Sequence, residues 1–127
     1  MTAAEQTILL VEDNEVNRDM LVRRLQRAGH QVVTAGDGEA ALAAMREHQP
    51  AVVLMDMNLP VKDGWTACRE AQQDASIAGI PIIALTAHAM EEDKHRALDA
   101  GCSDYATKPV DFPDLLTKIA AQLDARH

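Results

Sequence analysis

Aromatic side chains are almost absent from this sequence. Its 127 residues include one tryptophan, one tyrosine and one phenylalanine, whereas 47% of all residues are hydrophobic. The core must therefore consist of aliphatic side chains and alanine. No apolar stretch is long enough to span a membrane, and the N-terminus lacks the basic and then apolar profile of a signal peptide. We therefore expect a single cytoplasmic domain, residues 1–127, large enough to support its own core.

Positive charge and cysteine are also scarce. The formal net charge of −8 argues against binding to nucleic acid or to an anionic membrane surface. The two cysteines, Cys68 and Cys102, form no CxxC pattern. We interpret them as buried or semi-buried thiols of a cytosolic protein.

Short apolar runs alternate with helical patterns along the whole chain. The clearest run, Val52–Met55, is apolar at every position, which is typical of a strand buried on both faces of a parallel sheet. It ends at Asp56, and Pro60 excludes further strand. The predicted strands are Ile8–Val11, Val32–Ala35, Ala51–Met55, Ile80–Leu85 and Asp104–Thr107.

Helical patterns fill the intervals between these runs. We predict five helices: one capped by Asn14, with Val16, Met20, Leu21, Leu25 and Ala28 on one apolar face, then Glu39–His48, Asp63–Gln73, His88–Ala100, and a last one capped by Asp111. The His88–Ala100 stretch is polar, with Met90, Ala97 and Leu98 as its predicted inward residues. Five alternations of strand and helix predict an α/β fold, a parallel sheet with helices on both faces.

Polar side chains follow four of the five predicted strands. Glu12 and Asp13 end the first strand, Asp56 the third, Thr86 the fourth, and Lys108 follows the fifth. A lone aspartate at such a position is most often a helix cap or a turn residue. In a parallel sheet, however, all strands end along one edge, and ligands bind there. We therefore expect these five side chains to meet.

Three carboxylates in one cleft repel each other and need a cation. Lys108 supplies one positive charge, which is too few for three acids. A site made only of oxygens favours Mg²⁺ or Mn²⁺, whereas zinc prefers histidine or cysteine. Beside these cations, Asp56 is suited to act as a nucleophile that forms an aspartyl-phosphate, with Thr86 hydrogen-bonded to a phosphoryl oxygen.

The motifs that carry these residues resemble the receiver domain of two-component response regulators. They are VEDN (Val11–Asn14), MDMNLP (Met55–Pro60) followed by Asp63-Gly64, ALTAHAM (Ala84–Met90) and GCSDYATKPV (Gly101–Val110). The resemblance covers Ile8 to about Leu123. It implies a flavodoxin-like, doubly wound five-stranded parallel sheet of order 2-1-3-4-5, flanked by five helices in a single domain.

The resemblance also implies a role for each residue of the site. Asp56 would accept a phosphoryl group from a phosphohistidine on a histidine kinase or a histidine phosphotransfer protein. Asp13 and Asp56 would bind Mg²⁺ together with the backbone carbonyl of Asn58, and Glu12 would act through water. Lys108 would pair with the phosphoryl group, and Lys108-Pro109 would be a cis peptide.

Receivers of this family switch through a threonine and an aromatic residue, here Thr86 and Tyr105. The altered surface, which binds a downstream protein, is formed by the fourth helix, the fifth strand and the fifth helix. These map roughly to Met90–Ala100, Asp104–Thr107 and Pro113–Leu123. We interpret Asn58 and His88 as modulators of phosphoryl lifetime, although His88 is equally well explained as an ordinary histidine at a helix start.

We expect a phosphoryl-switched interaction module that catalyses only its own phosphorylation and dephosphorylation and carries no output domain. It is either a stand-alone regulator, which Met1 and the chain ends favour, or the excised receiver of a hybrid histidine kinase, where the ALTAHAM form is common. A magnesium-dependent phosphatase with an aspartyl nucleophile would need a second aspartate where Asn58 stands. A flavodoxin-like FMN carrier would need a hydroxyl-rich loop where Glu12 and Asp13 stand.

Overall fold

Five parallel strands form one sheet at the centre of the molecule. The computed structural model describes residues 7–87, 95–96 and 98–125. The strands are β1 (Thr7–Val11), β2 (Gln31–Ala35), β3 (Val52–Asp56), β4 (Ile82–Thr86) and β5 (Asp104–Thr107), and they lie in the order β2-β1-β3-β4-β5. Every neighbouring pair is parallel. The predicted fold class and strand order are confirmed.

Helices α1 (Glu15–Arg27), α2 (Gly38–His48), α3 (Gly64–Gln73) and α4 (Phe112–Ala125) cover the sheet. The first three are capped by Asn14, Asp37 and Asp63, whose side chains each accept a hydrogen bond from the backbone N–H three residues later. Most of the predicted His88–Ala100 helix lies outside the described residues, and the described positions 95–96 and 98–99 are helical. Within the described ranges, no helix has both the length and the apolar character needed to cross a membrane.

Each face of the sheet is covered by its own apolar cluster. Strand β1 shows the division: Ile8 and Leu10 pack on the α1 and α4 side, whereas Leu9 and Val11 pack on the α2 and α3 side. Strands β3 and β4 are buried at all five of their positions. Their continuous apolar sequence is thus explained by helices on both faces.

Two of the predicted apolar faces are wrong in part. On α1, Leu21 and Leu25 are buried, but Val16 and Met20 are 76% and 48% exposed, and Ala28 is exposed beyond the last turn. The start of α1 lies at the carboxyl ends of the strands, where the helix extends beyond the edge of the sheet. In the His88–Ala100 segment, Leu98 is 50% exposed, and Ala100 makes the core contact instead. Met90 and Ala97 lie outside the described residues.

Candidate functional site

Strand β3 carries Asp56 to the carboxyl edge of the sheet. Asp56 is the last residue of the strand and is buried. One carboxylate oxygen, Oδ1, accepts a hydrogen bond from the backbone N–H of Asn58 at 2.9 Å. The other, Oδ2, accepts one from Nζ of Lys108 at 2.8 Å. Both oxygens are therefore held in place at the end of a rigid strand.

Two more acids reach the same place from the end of β1. Carboxylate oxygens of Glu12, Asp13 and Asp56 all lie within 4.8 Å of one another. Glu12 is buried, and the backbone N–H of Glu12 donates to the carbonyl of Ala35 at 3.1 Å, which continues the pairing of β1 with β2. The Oε2 atom of Glu12 is buried with no hydrogen-bond partner in the described part of the chain. A buried carboxylate oxygen without a partner is costly, so this corner is incomplete without a donor or cation.

Lys108 reaches these acids from the loop after β5. Its backbone N–H donates to the carbonyl of Thr86 at 2.7 Å, so its position is determined by β4. Its Nζ atom lies 2.8 Å from Asp56 Oδ2 and 3.4 Å from Glu12 Oε1. The Lys108-Pro109 peptide bond is cis. One ammonium group therefore bridges acids from β1 and β3.

These contacts give the two buried acids different protonation behaviour. Burial would raise the pKa of Asp56, but hydrogen bonds from Glu12, Lys108 and the Asn58 backbone outweigh it and lower that pKa. The pKa of Glu12 is raised to about 7, first by burial and then by the hydrogen bond with Asp56 and the negative charge of Asp56. Burial opposes protonation of Lys108, but its bond to Asp56 and the nearby charges raise its pKa. Asp56 is thus the acid that stays ionised near neutral pH.

Asp56 opens into a cavity of about 490 Å³. Of the residues predicted for the site, Asn58, Thr86 and Lys108 line it together with Asp56. The Thr86 side chain is buried at the end of β4. The cavity is large enough for a phosphoryl group and several waters, and its lining combines acids, an ammonium group and a hydroxyl.

Five residues that the sequence did not assign to the site also line the cavity, and three of them have charged or aromatic side chains: Asp63, Trp65 and Arg96. The Arg96 guanidinium carbon lies 4.5 Å from the centroid of the Trp65 ring, a cation–π contact. Asp63 and Trp65 are close to Asp56 in the sequence, so the Asp63-Gly64 motif was a usable signal. Arg96 gave none, because its position depends on the path of the chain between β4 and β5.

The remaining predicted residues lie apart from the cavity or outside the description. Tyr105 is half-buried in the edge strand β5, where it pairs with Ala84 of β4. Its carbonyl accepts a hydrogen bond from Nζ of Lys118 at 2.8 Å, and the same Nζ lies 5.2 Å from the centroid of its ring. His88 lies outside the described residues.

Residues 8–120 match the family model of the response regulator receiver domain. The chain is 33% identical over 118 residues to the polar-differentiation response regulator DivK of Brucella anthropi, covering 93% of this chain and 96% of DivK. It is 35% identical over 116 residues to the DNA-binding dual master transcriptional regulator RpaA of Synechocystis sp., covering 91% of this chain and 48% of RpaA. The chain thus spans about half of RpaA and nearly all of DivK.

Solved structures give the same picture. One match is the receiver domain of the sensor histidine kinase PA1611 from Pseudomonas aeruginosa, whose structure has a magnesium ion coordinated in the active site cleft. It is 37% identical to this chain with a TM-score of 0.87, and the match covers 94% of this chain and 98% of that one. A Saccharomyces cerevisiae complex of the histidine phosphotransfer signalling protein Ypd1 with the receiver domain of Ssk1 matches at 33% identity and a TM-score of 0.83, with coverage of 91% and 86%. From its sheet, its acid cluster and these matches, the chain belongs to the response regulator receiver domain family of two-component signalling.

Proposed function

We propose that Asp56 is the phosphoacceptor of this receiver and takes its phosphoryl group from a phosphohistidine. The observation that carries the proposal is the 2.8 Å contact between Lys108 Nζ and Asp56 Oδ2 at the base of a cavity, with two further carboxylates within 4.8 Å. One acid is ionised and oriented, and a cation stands beside it. In this proposal the chain modifies only itself and turns over no external substrate.

Asp56, Lys108 and Thr86 would contribute to transfer through their positions and their charge or hydrogen bonds. An ionised oxygen of Asp56 forms the new P–O bond while the P–N bond to the donor imidazole breaks, and the imidazole leaves with the former bonding electrons. Lys108 and the Thr86 hydroxyl donate hydrogen bonds to the phosphoryl oxygens, whose charge must be stabilised in transit. Because both donors are fixed on the ends of β4 and β5, little reorganisation is needed at the moment of transfer.

The donor atoms at this edge also fit a divalent cation. The cluster is made of carboxylate oxygens, which Mg²⁺ prefers, with Mn²⁺ as the alternative. Glu12 contributes a buried oxygen that has no hydrogen-bond partner among the residues that the structure describes. Asp13, Asp56 and the backbone carbonyl of Asn58 would hold the ion, with Glu12 acting through water. When bound, Mg²⁺ would offset the negative charge that the phosphoryl group brings next to three acids.

The donor is a histidine kinase or a histidine phosphotransfer protein, and the surface beside the site supports its docking there. Val16 and Met20 are exposed at the start of α1. Met20 and Phe112 line a second cavity, of about 310 Å³, which is also lined by Glu12 and Lys108. An apolar surface that adjoins the acid cluster suits a helical donor whose phosphohistidine must reach Asp56.

The surface that changes on phosphorylation would lie at the β5 end of the sheet, opposite β2. Thr86 and Tyr105 would move together when the phosphoryl group is bound, and the surface formed by the 95–100 segment, β5 and α4 would bind a downstream protein. The register supports this coupling, because Thr86 pairs with Thr107 and Ala84 with Tyr105 on adjacent strands. Asn58, which lines the cavity, and His88 would modulate the lifetime of the phosphoryl group.

The test is incorporation of labelled phosphate from acetyl phosphate or from a phosphorylated histidine phosphotransfer protein, in the presence of Mg²⁺. We expect wild type to be labelled and Asp56→Asn to take up no label. Asp37→Asn is the matched control, because it makes the same chemical change at the N-cap of α2 and should leave labelling intact. Undiminished labelling of Asp56→Asn would remove Asp56 as the acceptor.

A further inference from the structure

The two cysteines meet inside the molecule, away from the acid cluster. Cys68 lies in the middle of α3, Cys102 lies in the turn before β5, and their sulfur atoms are 3.1 Å apart. Both are free thiols, and both are buried. A disulfide needs the sulfurs at about 2.05 Å, so an approach of about 1 Å would join them. The proposed phosphoryl chemistry uses neither thiol.

The backbone around this pair is already held in place from both sides. The Gln72 side-chain amide, one turn after Cys68 on α3, donates to the carbonyl of Gly101 at 3.2 Å. The backbone N–H of Ser103 donates to the carbonyl of Ile82 at 2.7 Å. The residues on either side of Cys102 are thus anchored to α3 and to the sheet, and the thiols have little freedom to separate.

A cavity adjoins the chain on both sides of Cys102, although neither sulfur atom lines it. This cavity, of about 260 Å³ at the amino edge of the sheet, is lined by Gln72, Gly101 and Ser103, the residues that surround Cys102. Cys102 lies between two lining residues of this cavity, Gly101 and Ser103, whereas Cys68 lies inside α3 and is fully buried. Attack should therefore begin at Cys102, with Cys68 as the second thiol to react.

We propose that Cys68 and Cys102 form a dithiol site that hydrogen peroxide converts into an intramolecular disulfide. The Cys102 thiolate attacks one peroxide oxygen, an S–O bond forms, the O–O bond breaks, and the departing hydroxide takes up a proton as water. The Cys68 sulfur then attacks the resulting sulfenic acid, the S–S bond forms, the S–O bond breaks, and hydroxide leaves with the Cys68 proton as a second water. Two thiols are oxidised and one peroxide is reduced.

The disulfide would close a loop that contains β4 and all but the last residue of the segment between β4 and β5. Its two ends are 34 positions apart in the chain. It would tie α3, which starts beside the Asp56 cavity, to the turn that leads into Tyr105. Oxidation would therefore fix two elements that are in contact in the reduced chain.

Peptide mapping after treatment of the reduced 127-residue chain with hydrogen peroxide tests the chemistry. We expect a Cys68–Cys102 disulfide in the monomer, with both thiols lost together and regained with dithiothreitol. In Cys68→Ser, dimedone should trap a sulfenic acid at Cys102, because the second thiol is missing. In Cys102→Ser, oxidation of Cys68 should be at least about tenfold slower than oxidation of Cys102 in Cys68→Ser. Survival of both thiols, disulfides only between chains, or equally fast oxidation of Cys68 in Cys102→Ser would each overturn the proposal.

Thermal unfolding gives a readout that is independent of reactivity. A native-like disulfide across this loop should raise the Tm of the oxidised chain by roughly 5–10 °C over the reduced chain, since it restricts the unfolded state. The two serine variants, treated with the same peroxide, should show no such rise. An oxidised wild type with a lower Tm than the reduced form would contradict a site built to accept the bond.

Discussion

The two edges of the sheet are built from the same five strands but differ in what they bury. At the carboxyl edge, β1, β3 and β4 lead into or end in Glu12, Asp56 and Thr86, and these are all the buried polar residues of the described chain. At the amino edge, a cavity of about 260 Å³ has a lining whose polar side chains are neutral: Gln72, Ser103 and Gln122. Burying charge is costly, so its restriction to one edge marks where this fold gives up stability for a ligand site.

The largest effect is expected where the cation in contact with Asp56 is removed. Lys108→Met deletes the ammonium group 2.8 Å from Asp56, so the phosphoryl oxygens lose a fixed donor and the rate of phosphoryl uptake should fall about 100-fold or more. The rate with acetyl phosphate measures this. Gln72→Met also replaces a polar side chain by methionine, but at the amino edge. It should leave the rate within about twofold of wild type, since no charge is altered. A wild-type rate for Lys108→Met would mean that Lys108 has no part in transfer.

The two edges should also differ in how they tolerate one added methyl group. A Cβ at Gly64 would lie 2.6 Å from the carbonyl oxygen of Asp56 and 2.7 Å from Cα of Met57, both backbone atoms. Gly64→Ala must therefore displace the loop after β3, and we expect a loss of about 2–3 kcal/mol in the free energy of unfolding. Gly79→Ala, at the amino edge, has nothing within 4 Å of the new carbon and should be neutral. Urea denaturation of both variants decides, and equal losses would contradict the close approach at Gly64.

Most of the fold could be predicted because burial leaves a clear trace in a parallel sheet. The β5 strand was predicted with its observed bounds, and β3 was displaced by one residue at each end. The β4 strand was predicted to start at Ile80 but starts at Ile82, since Pro81 has no N–H to donate. The site followed from the same pattern, because parallel strands bring their ends to one edge.

Contacts between elements that are distant in the chain could not be predicted in this way. The meeting of Cys68 with Cys102 and the stacking of Arg96 on Trp65 depend on how α3 packs against the chain that precedes β5. The exposure of Val16 and Met20 was missed for a related reason. Helical periodicity gives the direction of a face but not where the sheet beneath it ends.

A smaller effect is expected from pH. Folding raises the pKa of Glu12 from 4.5 to about 7, so between these values the folded chain holds more protons than the unfolded chain and stability falls as pH rises. Asp56 has its pKa lowered, so its contribution is lost only on acidification below its ordinary pKa. When a chelator removes divalent cations, the free energy of unfolding should fall by about 1–2 kcal/mol between about pH 5 and pH 7.5. Glu12→Gln should abolish this slope, and Glu47→Gln, at an exposed position of α2, should keep it. An unchanged slope in Glu12→Gln would assign the pH dependence to another group.

The smallest effect concerns backbone strain, and it compares the two non-glycine residues of positive φ in the described chain. Val61, at the carboxyl edge, has φ of 67° and is 82% exposed, whereas Gln49, which ends α2 at the amino edge, has φ of 46°. A β-branched residue is strained in this region, and an unbranched one is strained less. Val61→Gly should therefore raise the free energy of unfolding by about 0.5–1 kcal/mol even after the cost of a more flexible unfolded chain, and Gln49→Gly should gain less. Urea denaturation gives both values, and a larger gain at Gln49 would place the strain at the other edge.

If Val61→Gly gains stability and also slows phosphoryl uptake, the strained loop after β3 helps to position Asn58. If uptake is unchanged, the strain at Val61 has no part in phosphoryl transfer.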